Sequence, residues 1–204
     1  MKGFNIERYT DSHSHEWDDF VGSSKNGTFM LTRKFIGYHG DRFTDASLQV
    51  YKKEKLVAVF PANSSEQTIY SHQGLSYGGL VLPKQIKLSD ALAAFGEILK
   101  YYDNNGFSNL IVKLTPTLYH TQPSDEIQYA LFVSQAELYR RDAAICLRPS
   151  SFTPNENRKR KRKRFETPGR CVTTCGVWTR RRSAGRAPRR SGTFRARAGT
   201  RPSP

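Results

Sequence analysis

The chain has 204 residues, with 33 Lys and Arg against 18 Asp and Glu, a formal net charge of +15 that would suggest an anionic partner. By position it divides: residues 1–154 carry 16 basic and 16 acidic side chains, and residues 155–204 carry 17 and 2. The first span is long enough for one domain with its own core, and it excludes a membrane span, since no run approaches ~20 apolar residues.

Along the chain, the N-terminus meets charge before any apolar stretch develops, so no secretory signal is expected. Ser14 precedes Glu16, Trp17, Asp18, Asp19, Phe20 and Val21, the pattern of a capped short helix that Asn26-Gly27 would end. Thr32 opens a second short helix with Leu31, Phe35, Ile36 and Tyr38 on its apolar side, closing near Gly40. Ala46–Tyr51 and Leu56–Ala62 read as strands joined by the polar turn Lys52-Lys53-Glu54-Lys55. Gln67–Ser71 and the glycine-rich Leu75–Leu82 extend that sheet. Ser89 is placed to cap a long helix in which Leu88, Leu92, Phe95, Leu99 and Tyr102 repeat at helical spacing, stopped by Asn105-Gly106. Asn109–Thr115 is a near-continuous apolar strand of the type buried on both faces. Ser124-Asp125-Glu126 starts a helix carrying Ile127, Ala130 and Leu131, and a last strand is expected around Ala143–Leu147, ending at Pro149. The fold class is therefore α/β, a mixed sheet with flanking helices.

After Phe152 the composition changes. Residues 155–204 contain no Leu, Ile, Met or Tyr, too little apolar surface to offset roughly 1–2 kcal/mol of ordering entropy per residue. From Thr179 to Pro204 every residue but Phe194 is Arg, Ala, Gly, Ser, Thr or Pro. We read residues 155–204 as an Arg-rich low-complexity tail, disordered or translated out of frame from GC-rich coding sequence. Its run Arg158, Lys159, Arg160, Lys161, Arg162, Lys163 and Arg164 would bind polyanions non-specifically and with steep salt dependence, with no aromatic platform beyond Phe165 to read bases. The three cysteines, Cys146, Cys171 and Cys175, are an odd and sparse set that fits a reducing cytosol, so the expected location is cytoplasmic.

The run from Trp17 to Leu82 carries Trp17-Asp18-Asp19-Phe20, Asn26-Gly27-Thr28-Phe29, Arg42-Phe43-Thr44-Asp45-Ala46-Ser47-Leu48, Leu56-Val57-Ala58-Val59-Phe60-Pro61-Ala62 and Ser71-His72-Gln73-Gly74-Leu75-Ser76-Tyr77-Gly78-Gly79-Leu80. In this order and spacing the segments resemble the N-terminal lobe of the FemAB-like, peptidoglycan-bridge-type branch of the GNAT acyltransferases. Asn157-Arg158-Lys159-Arg160 is similar to the start of the basic helix leading into that family's second domain. The resemblance covers residues 1–154. It implies a GNAT-like fold and acyl transfer from acyl-CoA or an activated aminoacyl donor to an amine acceptor. It also implies a donor site in a C-terminal lobe that this chain lacks. A truncated family member, with no cofactor of its own and inactive as a fragment, is the expectation. The alternative is a non-enzymatic binding module that uses its cationic tail on nucleic acid.

In Ser71–Leu82, Gly74, Gly78 and Gly79 allow close backbone approach; the plainer reading is a bend between strands with a satisfied histidine, and the functional one makes His72, Ser76 and Tyr77 candidates for an acceptor groove. Arg42 and Asp45 precede a strand and suit an ion pair, a turn cap or the groove wall. His13-Ser14-His15-Glu16 with Asp18 and Asp19 offers metal donors, but His at i and i+2 do not share a helix face, so no metal is expected. Arg182-Ser-Ala-Gly185-Arg-Ala187 matches the Gln/Arg-x-x-Gly-x-Gly/Ala signature with which GNAT enzymes hold the coenzyme A pyrophosphate. Such a loop must lie between a strand and a helix N-terminus, and the arginine-rich flanks here do not provide one. Cys171 and Cys175 cannot assemble four zinc ligands. No nucleophile–base arrangement stands out, so the catalytic residues are unassigned, and Cys146 reads as a small buried hydrophobe.

Overall fold

The computed structural model describes residues 3–141 and 177–181. The elements in order are β1 (Phe4–Arg8), α1 (Ser14–Ser23), α2 (Arg33–Ile36), β2 (Thr44–Asp45), β3 (Leu48–Lys52), β4 (Lys55–Phe60), β5 (Asn63–Ser65) and β6 (Thr68–Tyr70). They continue with α3 (Leu88–Asn104), β7 (Asn109–Lys113), α4 (Glu126–Val133), β8 (Glu137–Arg140) and β9 (Val177–Arg181). Short 3-10 turns occupy Asp11–His13, Phe29–Leu31, Gly37–Arg42 and Thr117–Tyr119.

Three strands pair in the order β1-β3-β4, and six in the order β2-β5-β6-β7-β9-β8. All pairings are antiparallel except β6 with β7, whose crossover is α3. Pro61, lacking an N–H, separates β4 from β5 where the chain bends. Ser47 spans the bend from the facing strand: its Oγ accepts from Ala62 N (3.1 Å) and donates to Ala62 O (3.2 Å). The β3–β4 hairpin closes through Lys53 (φ 48°) and Glu54 (φ 64°), both left-handed as a two-residue type I′ turn demands.

One apolar cluster joins the sheet to α3 and α4 through Leu48, Phe60, Ile69, Phe95, Ile98, Val112 and Leu131. Ala91 and Ala94 let α3 approach closely, and Tyr102 satisfies its buried hydroxyl on Ala46 O (2.6 Å). A smaller cluster gathers Trp17, Val21, Leu31, Ile36, Val59 and Tyr77.

Most expected elements are present, with instructive departures. Strand β1 was not anticipated, because its polar residues break the apolar run that Phe4 and Ile6 begin. Helix α3 starts at Leu88 with Lys87 at its N-cap and no side-chain cap bond, so Ser89 lies inside the first turn and Leu88 is exposed. Likewise Ser14 is the first residue of α1 and not its cap, whereas Thr32 does cap α2 through Phe35 N (3.4 Å). Leu75–Leu82 is not a continuous strand; its main chain pairs with the sheet as the isolated bridges Val81–Val59 and Gly78–Leu114. In β7 only Leu110 and Val112 are buried, the alternation of a strand with one covered face. The expected strand at 143–147, with Cys146, and the basic run 158–164 lie outside the described residues. Within the span read as a tail, Val177–Arg181 pairs between β7 and β8.

Candidate functional site

A cleft of about 120 Å³ opens where α2, the 3-10 turn after it and the loop following β6 meet, lined by Arg33, Ile36, Gly37, Gly40, Phe43, Asp45 and His72. Arg33 enters from α2, whose N-terminus is fixed by Arg33 N donating to Asp18 Oδ1 (2.5 Å). Its guanidinium lies over the Tyr9 ring, 3.5 Å from the centroid, donates to Ser47 Oγ (3.0 Å) and pairs with Asp45 Oδ2. Asp45 also caps the following turn, accepting from Ser47 N (2.7 Å), and its main-chain oxygen accepts from Arg8 (2.6 Å). The Asp45 side chain stays 38% exposed while that of Arg33 is 11% exposed, so the carboxylate is the open member of the pair.

His72 closes the other wall. It is buried, its ring meets that of Phe43 edge-on at 5.4 Å, and its φ of 71° is rare for a side-chain-bearing residue. The loop around it is pinned from three sides. Asn63 and Gln73 exchange two 2.7 Å hydrogen bonds. Lys113 N donates to Ser71 Oγ (2.7 Å), and Lys113 Nζ reaches the Leu75 carbonyl. Gly78 passes so close to Ser71 that a Cβ there would lie 2.2 Å from its carbonyl oxygen. Such anchoring holds a left-handed histidine that costs on the order of 1–3 kcal/mol.

Of the five residues singled out in the sequence, the structure brings Asp45 and His72 together in this cleft. Arg42 is exposed at the end of the Gly37–Arg42 3-10 turn, and the partner of Asp45 is Arg33, not Arg42. Ser76 is exposed away from the cleft lining. Tyr77 is buried in the Trp17 cluster, with its hydroxyl on Thr28 Oγ1 (3.0 Å) and its ring 5.4 Å from that of Tyr119. Sequence reading missed Arg33 and Phe43; Thr32 at the cap of a one-turn helix was the available signal, since it starts the turn that aims Arg33 back toward the sheet.

Among the described residues, no group of three His, Cys, Asp or Glu could hold a metal ion. The acidic start of α1 is used structurally: His15 pairs with Asp19 (2.9 Å), and Glu16 accepts from Tyr51 (2.7 Å), which together with burial pushes that phenol above its ordinary range. Also among the described residues, no helix is long and apolar enough to cross a membrane.

A second polar group lies at the α4 N-terminus, where buried Lys25 pairs with Glu126 and Ser124 donates to the same carboxylate (2.9 Å). Burial opposes the Glu126 charge, but bonds from Lys25, its own main chain and Ser124 outweigh it and lower its pKa. His120, whose Nε2 contacts Thr115 O (3.2 Å), has its pKa lowered by burial.

No protein-family model matches this chain, and no curated protein does. Among solved structures it is similar to the ribosomal-protein-S18-alanine N-acetyltransferase from Escherichia coli, at 9% identity over 89% of this chain and 96% of that one, with a TM-score of 0.52. It is similar to the N-acetyltransferase PseH of Campylobacter jejuni at 11% identity over 88% and 99%, TM-score 0.51. RimL, a ribosomal L7/L12 alpha-N-protein acetyltransferase solved in complex with coenzyme A, matches at 10% identity over 91% and 97%, TM-score 0.52. The chain therefore has the GNAT fold of N-acetyltransferases.

Coenzyme A, which that fold implies, needs a cradle of main-chain N–H groups before a helix N-terminus. The segment Leu80–Lys87 that enters α3 does not fit it. It holds no glycine, Pro83 has no N–H, and the Val81 and Leu82 N–H groups are spent on Val59 O and Asn26 Oδ1. Lys84 and Lys87 supply positive charge, but Asp90 in the first turn of α3, paired with Lys52 (2.7 Å), opposes an anion. The signature match at Arg182–Ala187 lies outside the described residues.

Proposed function

We propose that this chain is the acceptor-side lobe of a FemAB-like N-acyltransferase, binding an amine for acylation while the acyl donor is held elsewhere. The observation that carries the reading is the half-open Asp45 carboxylate, which lines the cleft together with buried His72 on a GNAT fold. A protonated amine entering there exchanges water for a charge-assisted hydrogen bond to Asp45, and Phe43 and Ile36 cover its carbon chain. Arg33 keeps the carboxylate in one orientation, so the amine is held in a fixed pose, the contribution to acyl transfer that positioning makes.

The test is calorimetric titration of the full chain with primary amines (glycinamide, alaninamide and lysinamide) and with their N-acetylated forms. The amines are expected to bind and the acetylated forms to bind about tenfold more weakly or not at all; Asp45→Asn should remove the preference while Ser76→Ala keeps it. Equal binding of the two forms to the native chain would sink the reading. The rival reading, a nucleic-acid-binding module, is favoured by the composition of Arg158–Arg164 alone. It is tested by polyanion affinity against salt: a slope near −0.9 per neutralised phosphate with no sequence preference marks charge alone, and sequence-selective binding that survives high salt would favour the module.

A further inference from the structure

Open α/β sheets bind ligands in the crevice beyond the carboxyl ends of parallel strands, and β6–β7 is the parallel pair of this fold. The two strands keep register from Thr68–Asn109 to Tyr70–Ile111, and Gly78 N still reaches Lys113 O (2.7 Å). Thr115 Oγ1 donates to Gly78 O (3.1 Å), and beyond that rung they part. Val81 turns to β4 and exchanges two hydrogen bonds with Val59 (2.9 and 3.2 Å), while Thr115 leads into the Thr117–Tyr119 turn.

The loop that follows α1 enters this fork. Asn26 uses its carboxamide as a peptide group would: Nδ2 donates to Leu80 O (2.8 Å) and Oδ1 accepts from Leu82 N (2.9 Å). Lys25 N donates to Leu82 O (3.0 Å). On the opposite side, Lys25 O accepts from Thr121 N (2.7 Å) and Thr121 Oγ1 (3.0 Å), and Lys25 Nζ pairs with Glu126. Ser24, Lys25 and Asn26 are all buried. Gly27 makes the tight turn possible, since a Cβ there would lie 2.2 Å from Ser24 Oγ and 2.5 Å from Val21 O.

We infer that residues 24–27 are a built-in occupant of the β6–β7 crevice, so that acyl-coenzyme A finds no seat there and the crevice instead ties α1 and α4 to the sheet. The amide groups of an entering pantetheine arm would compete for Leu80 O, Leu82 N and Leu82 O, which are already paired. The occupant is intramolecular and so present at high effective concentration. The inference is independent of the cleft at Asp45, whose amine titration can fail without touching it.

The test is native-state hydrogen exchange at Val81 and Leu82 in the full chain, together with the thermal midpoint, with and without acetyl-coenzyme A. Leu82 is expected to be protected without the coenzyme, and saturating acetyl-coenzyme A to leave both protection and midpoint unchanged, whereas a bound ligand at a hundredfold its Kd would raise the midpoint by roughly 3–10 °C. Asn26→Ser, too short to bridge, should speed Leu82 exchange about tenfold or more. Three results would each overturn the inference: Leu82 exchanging at free-peptide rate in the native chain, coenzyme-induced protection at Val81 or Leu82, or unchanged exchange in the folded variant. Should the variant not fold, the first two decide.

Discussion

Around α3, nineteen buried apolar residues from Ala46 to Leu131 pack against one another, and the one polar side-chain atom among them is the Tyr102 hydroxyl, bonded to Ala46 O. Around Trp17 there are nine, and most of the order in that layer comes from side chains bonded to main chain. Trp17 Nε1 donates to Leu31 O (2.9 Å), Asp18 holds α2, and Asn26 ties the loop after α1 to Leu80 and Leu82. The first region draws its stability from area, spread over many contacts. The second depends on a few directional bonds; it borders the Asp45–His72 cleft through Ile36, and Asn26 ties it to Leu80 and Leu82 of the first. The lesson is that the layer with the smaller core is held by directed bonds and borders the cleft proposed for the acceptor.

Substitutions can break or sharpen this contrast. The largest effect is expected in the packed region: Phe95→Ala should cost about 3–5 kcal/mol in chemical denaturation, and a loss under about 1 kcal/mol would mean that α3 is not the centre of the core. Gly78→Ala comes next, because its Cβ would meet the Ser71 carbonyl at 2.2 Å. Relief requires main-chain movement, about 1–3 kcal/mol or more, and amine binding at the cleft should fall with it. Asn26→Ala leaves Leu80 O and Leu82 N without their partner. Buried groups so orphaned cost about 1–3 kcal/mol, whereas a one-methyl apolar trim in the α3 core, Ile98→Val, should cost about 0.5–1.5 kcal/mol.

Acid should act on the bonded layer first. Burial lowers the His120 pKa, so the unfolded chain takes up that proton at higher pH than the folded one. Stability from this group is full above its ordinary 6.5 and falls as the pH drops through the folded value. Glu126, held below its ordinary 4.5, adds a second loss below that pH. Thermal midpoints from pH 7 to 3 should fall in two stages, and His120→Asn should remove the upper one. The smallest effect is a control: the Lys100–Glu97 pair on the solvent side of α3, where Lys100→Ala should change stability by less than about 0.5 kcal/mol.

Sequence reading recovered what periodicity and turn chemistry encode. The stripe Leu92, Phe95, Leu99 and Tyr102 placed α3, the polar Lys52–Lys55 turn placed a hairpin, and Ile127, Ala130 and Leu131 placed α4. Two of the seven residues that line the cleft, Asp45 and His72, were legible too, because a glycine-rich run and an Asp before a strand are local signals. The rest is long-range. Arg33 finds Asp45 twelve residues away only once α2 has docked on Tyr9, and Asn26 meets Leu82 across 56 positions. The fault in the expected strand at Leu75–Leu82 has the same origin: its residues are apolar enough for a ladder, but Asn26 and Val59 divide its main-chain groups between them.

The loop at residues 24–27 also sets an order of events in time. Its partners lie 54 to 101 residues further along the chain, whereas the β3–β4 hairpin and α3 need only neighbours. Contacts of such separation form slowly, so the fork between β6 and β7 is expected to close late in folding. The kinetic signature would be an Asn26→Ala variant that refolds at the native rate and unfolds faster, with a φ-value near zero. A newly made chain would thus pass through a form in which the crevice stands open to solvent, and sealing it would be a late step to the native state.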